Sequence, residues 1–144
     1  MLIKMLAVLG LTQAQRQEIR QEIDLFDAMQ AHANWKKRLM DYIDGKSSED
    51  LQPHNICVDN RCALGLWIHS KGKARFGEYP LFQQLVDEHA KFHYHASKVV
   101  EEHQAGNAVE ARKILAESFT EQSRKTVSCL AKLNAEIEGE KLPT

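Results

Sequence analysis

The stretch following Pro80 constrains the fold more than any other. Phe82, Leu85, Val86, His89, His93, Ala96 and Val100 recur at spacings of three and four. That is the period of a helix with one face turned away from water. Pro80 suits the first helical position and Gly106 the position that ends it. A second stripe of the same period includes Ile19, Ile23, Phe26, Met29, Ala33, Leu39, Met40 and Ile43. It predicts one helix over residues 12–44, capped by Thr12 and stopped by Gly45. A third stripe, Leu115, Phe119, Leu130, Leu133 and Ile137, follows a possible cap at Asn107. Residues 46–60 read as a loop. A short helix is expected from Asp59 or Asn60, either of which can cap it, to Gly72. Cys62 falls in its first turn, with Leu66 and Trp67 seating it, and residues 73–79 are a connector. No run alternates polar and apolar residues as a strand does. Gly is 7 and Pro 3 in 144 residues, few enough to leave long helices unbroken. One-sided stripes must bury one another. The expected fold class is therefore all-α, an antiparallel four-helix bundle with a short extra helix carrying the cysteine.

The length is that of one domain, residues 1–144, with residues 1–11 as an apolar N-terminal extension. That extension, MLIKMLAVLGL, is too short to span a bilayer. Helical sequence follows it in place of a signal-peptide cleavage site. It is expected to pack on the bundle or on a second subunit. The formal net charge of −1 offers no electrostatic case for nucleic acid or an anionic membrane. Three cysteines, an odd number, argue against a disulfide framework and for a reducing compartment, so the expected location is cytoplasmic.

The chemistry-bearing feature is His89 and His93, residues i and i+4 on the stripe that should face the core. An unsatisfied polar group there costs about 1–3 kcal/mol. Two on one face need a joint explanation, and a shared metal ion is one. The spacing alone is equally that of two hydrogen-bonded or half-exposed histidines. The intervening residues read HAKFH, so the glutamate of a zinc protease is absent. His32 lies on the stripe of another helix, and Cys62 at a helix start is placed to favour thiolate. One thiolate and three imidazoles complete a tetrahedral set for zinc and leave no position for water, which favours a structural or sensing role over hydrolysis. His54 and His95 read as solvated, His69 as a surface helix end, and His103 as a satisfied histidine at the end of the bundle. Cys57 is a spare ligand or resolving thiol at best. Cys129 reads as core packing.

Three motifs occur in order: H-x-x-W-K-x-R-L at residues 32–39, C-x-L-G-x-W at residues 62–67, and H-x-x-F-H at residues 89–93. With the flanking GKARFGEYPLFQQL, they resemble the chemoreceptor zinc-binding (CZB) domain family over roughly residues 20–135. The resemblance implies a bacterial cytoplasmic domain holding one zinc ion per chain through His32, Cys62, His89 and His93. Trp35, Gly65 and Trp67 are its supporting motif residues, and Cys62 is the redox-sensing one. It implies no catalytic residue and no enzyme. It also implies a report on zinc availability or on oxidants such as hypochlorous acid. The partner would be a signalling protein such as a chemoreceptor or a diguanylate cyclase, acting in chemotaxis or cyclic-di-GMP signalling, and the protein a homodimer. No signalling coil or cyclase accompanies the motifs, and Met1 and the EGEKLPT tail read as the ends of a free-standing member. Two other classes remain: an adaptor with a purely structural zinc, and an iron protein on a bundle, as in hemerythrins. The latter would need Glu-x-x-His pairs that the stripes lack.

Overall fold

A computed structural model describes residues 10–139. The apolar extension falls outside them except for Gly10 and Leu11. Among the described residues the chain is all-helical, with no strand. In order the helices are α1 Gln13–Glu22, α2 Leu25–Ile43, α3 Pro53–Ile56, α4 Ala63–Ile68, α5 Lys71–Phe76, α6 Pro80–Gln104, α7 Ala108–Ile114 and α8 Thr120–Glu138. A π-helical turn, Leu115–Phe119, joins α7 to α8 without a loop.

Thr12 does cap α1, in a reciprocal capping box with Gln15. The single helix expected over residues 12–44, however, is broken. Ile23 is extended, and Asp24 restarts the chain as the cap of α2, its side chain accepting from the Asp27 N–H. The break resets the phase of the stripe. Leu25, Ala28, His32, Leu39 and Ile43 turn inward. Phe26 and Met40, expected inside, are 63% and 44% exposed, and Ala33 is exposed as well. Two other expectations change. The loop before Cys62 contains the α3 turn, and the short helix expected to end at Gly72 is split into α4 and α5, the latter running on to Phe76 inside the expected connector. Gly45 ends α2 at φ 72°, and Pro80 sits at the first position of α6, both as expected.

The helix α6 packs on α8, α2, α7 and α3, and α2 also packs on α8. Their apolar residues form two clusters. One gathers Leu25, Ala28, Trp67, Phe82, Leu85 and Leu133 among others. The second includes Leu39, Ile43, Phe92, Ala96, Val99 and Phe119. Burying each large side chain contributes about 1.5–3 kcal/mol. Between the clusters every long helix turns polar at the same level. His32 on α2, His89 and His93 on α6, and Gln122 and Thr126 on α8 are all buried. Gln122 and Thr126 are satisfied, since both donate to the Glu88 carbonyl, at 3.1 Å each. The histidines face the remaining gap.

Candidate metal centre

Each functional side chain is positioned by a different local rule. His32 follows Ala28 by one turn of α2, and its Nδ1 lies 2.7 Å from the Ala28 carbonyl. His89 and His93 stack one turn apart on α6, with ring centroids 4.6 Å apart. The Nδ1 of His93 is 2.9 Å from the carbonyl of Ile56, the last residue of α3. Cys62 is the cap of α4, and its Sγ accepts from the Gly65 N–H at 3.3 Å. The thiol thus holds the capping position in which Asp59 or Asn60 was expected.

A carbonyl can only accept, so Nδ1 carries the proton in both His32 and His93. Their Nε2 atoms are then bare lone pairs. Both point at Nε2 of His89, 3.1 Å from each. Cys62 Sγ is 3.3 Å from Nε2 of His89 and 3.7 Å from Nε2 of His93. The four donor atoms all lie within 4.8 Å of one another. His89 could offer one proton to one neighbour, leaving the other pair in repulsion. A cation resolves this arrangement. Tetrahedral zinc, with bonds of about 2.0–2.1 Å to nitrogen and about 2.3 Å to sulfur, spaces its ligands about 3.3 Å apart for two nitrogens and about 3.6 Å for nitrogen and sulfur. The four contacts of 3.1–3.7 Å are close to that set, and no donor pair is more than 4.8 Å apart. His32, Cys62, His89 and His93 are positioned to hold one metal ion, and the donor chemistry is that of zinc.

The electrostatics agree. Burial holds His32 neutral, its pKa pushed down to about 4 despite the Ala28 carbonyl. Burial and the neighbouring rings depress His89 much further, and burial also lowers His93. Neutral imidazole is the ligand form. The thiol behaves differently from expectation. Burial pushes Cys62 up, and the N–H groups of Gly65 and Leu64 oppose this only in part. The helix start alone does not make the thiolate, so a cation must supply the rest.

Other polar residues sort themselves out around this centre. Cys57, His54 and His69 are exposed, and Cys129 is buried in the first cluster. His95 is half-buried rather than solvated, beside Tyr94. His103 is half-buried against Tyr42. Trp35 is half-buried on the second cluster, under the Arg38 guanidinium at 3.8 Å. Trp67 is buried and seats α4, but Leu66 is 59% exposed, and Leu64 and Ile68 take its expected place. A Cβ on Gly65 would stand 1.7 Å from the Asp59 carbonyl, so α4 approaches the preceding loop only because residue 65 has no side chain.

Two polar residues were missed as site components. Asp59, read as a cap, lies 3.2 Å from Nε2 of His69 and 3.9 Å from Nδ1 of His89. Glu22, at the end of α1, accepts from the Trp67 indole at 3.2 Å and from Arg75 at 2.6 Å, tying α4 and α5 to the first helix. No spacing rule marks either one.

Among known proteins, the family model of the chemoreceptor zinc-binding domain matches residues 32–100, a stretch that contains all four donors. No curated protein and no solved structure matches the chain.

Proposed function

With residues 32–100 matched by the family model of the chemoreceptor zinc-binding domain, we propose that this protein is a zinc-dependent sensory domain whose signal is the state of the Cys62 bond to the metal. One observation carries the reading: four donors from three separate elements converge within 4.8 Å. They span α2, the start of α4 and α6, so occupancy sets how those elements sit. We read the long helices as an antiparallel four-helix bundle and α4 as the extra helix that carries the cysteine. The whole chain acts as one such unit, in the cytoplasm and without catalysis, because four protein donors leave a closed coordination sphere.

Cys62 is the movable ligand. The histidines ride on long packed helices, whereas α4 spans only six residues. Cys62 also lines two surface crevices, of about 170 and 250 Å³, through which small solutes reach it. Hypochlorous acid is a suitable stimulus. The thiolate Sγ gives it two electrons, the O–Cl bond breaks, chloride leaves, and the hydroxyl stays on sulfur as sulfenic acid. The product is a poorer ligand than thiolate, so α4 is released. Zinc depletion has the same effect. Either event loosens the Glu22 contacts to Trp67 and Arg75 and changes a surface that includes the exposed Leu66. A chemoreceptor or diguanylate cyclase would read that surface, with the domain acting as a homodimer.

The test is metal content of the purified protein before and after hypochlorite, on wild type and Cys62→Ser. One zinc per chain, lost on oxidation from wild type and bound more weakly by the variant, is the expected result. Zinc retained through oxidation would leave a purely structural site in an adaptor. Two irons per chain would overturn both readings.

A further inference from the structure

The three histidine rings of the centre are not held alike. His32 and His93 each have the outer nitrogen on a backbone carbonyl, which fixes the tautomer that presents Nε2 inward. His89 has no such carbonyl. Among the described residues its Nδ1 is the one buried side-chain nitrogen or oxygen without a hydrogen-bond partner, on a ring that is fully buried. A carboxylate oxygen of Asp59 stands 3.9 Å from it. That carboxylate is itself held: Nε2 of His69 lies 3.2 Å from both of its oxygens. From behind, the Asp59 carbonyl occupies the space left by the missing side chain of Gly65.

We propose that Asp59 is the outer partner of His89, accepting its Nδ1–H when Nε2 binds zinc, and that His69 holds Asp59 in place for that role. The inference rests on the zinc reading above. Three physical arguments support it. A carboxylate beside Nδ1 disfavours the tautomer with a bare lone pair there, so it turns the lone pair of His89 toward the other three donors. The distance must close by about 1 Å to make a normal hydrogen bond. Asp59 sits on the non-helical segment between α3 and α4, which can take up that movement. Charge completes the argument: zinc with one thiolate and three neutral imidazoles carries a net positive charge, and a buried charge is costly unless paired.

The experiment measures zinc affinity by competition with a chromophoric chelator in wild type, Asp59→Asn, Asp59→Ala and His69→Ala. Ring N–H protons are followed in parallel by nitrogen-15 NMR of the zinc-loaded proteins. Asp59→Ala should weaken zinc about 10–100-fold. Its His89 Nδ1–H should lose protection from exchange, while those of His32 and His93 keep theirs. A merely structural role would move all three alike. Asp59→Asn retains an acceptor of the same size and should lose less affinity, and it decides the matter if the alanine variant folds poorly. His69→Ala should lose less than Asp59→Ala. Affinity within about 2-fold of wild type in both Asp59 variants, with the His89 proton still protected, overturns this inference and leaves the zinc reading standing. Wild type that takes up no zinc overturns both.

Discussion

At the residue scale, the three imidazoles are neutral and the thiol is protonated before metal arrives. Burial lowers His32, His89 and His93 and raises Cys62. Zinc binding must therefore displace one proton, from sulfur, and none from the rings. Between pH 7.5 and 5.5 the affinity should fall about 100-fold, one decade per pH unit. Chelator-competition titrations at several pH values check this. A steeper slope beginning at the ordinary histidine value of 6.5 would mean that the rings are protonated in the folded protein. Cys62→Ser should flatten the slope as well as weaken binding. The ligands themselves were legible, because helical period assigns a face to each residue and all three histidines fall inward. The thiol's protonation was not legible: it depends on how deeply α4 is seated, which local sequence does not state.

At the element scale, the kink between α1 and α2 matters most. It rotates Leu25 and Ala28 into the core and ends α1 at Glu22, beside Trp67 and Arg75. Asp24→Ala removes the cap that restarts the helix and should cost about 1 kcal/mol in denaturant unfolding. Glu22 supplies a pH signature. The Arg75 guanidinium holds its carboxyl below the ordinary value of 4.5. Its contribution to stability is thus present above that value and is lost as pH falls through the depressed folded one. Glu22→Gln should melt below wild type at neutral pH, and the gap should narrow on acidification below 4.5. A gap independent of pH would assign Glu22 a packing role only. Gly65→Ala drives a Cβ into the Asp59 carbonyl. It should destabilise the protein by about 1–3 kcal/mol and weaken zinc, read by thermal melts with and without metal. The stripe alone predicted a continuous helix through residue 24, since an Asp inside a helical pattern is a cap only if the chain bends there.

At the scale of the whole molecule, two apolar clusters lie on either side of a polar layer to which α2, α6 and α8 all contribute. The layer is where a helical fold of this kind loses hydrophobic stabilisation, and metal binding would offset the loss. Zinc at 100 times its dissociation constant should add about 2.7 kcal/mol. Chelation should accordingly lower the melting temperature while leaving a single transition, because α2 and α6 run through both clusters. Two separated calorimetric transitions after chelation would show that the clusters unfold independently. Phe92 joins the second cluster to the site, packing edge-on to His32 at 4.9 Å and against Phe119 at 5.2 Å. Phe92→Ala should cost about 3–5 kcal/mol.

The helical class, the inward faces of α6 and α8, and the three histidines could be read from sequence alone, because each follows from residue type at a local period, while Cys62 came from its place at a helix start and from the family motif. Tertiary structure decided the rest. It set the bend at residue 24, the inward turn of Leu25 in place of Phe26, and the meeting of Asp59 with His69 and His89 across 10 and 30 positions of chain. The reason is physical: a helix repeats its own geometry every turn, whereas the position of a loop carboxylate is fixed by packing contacts with residues remote in sequence.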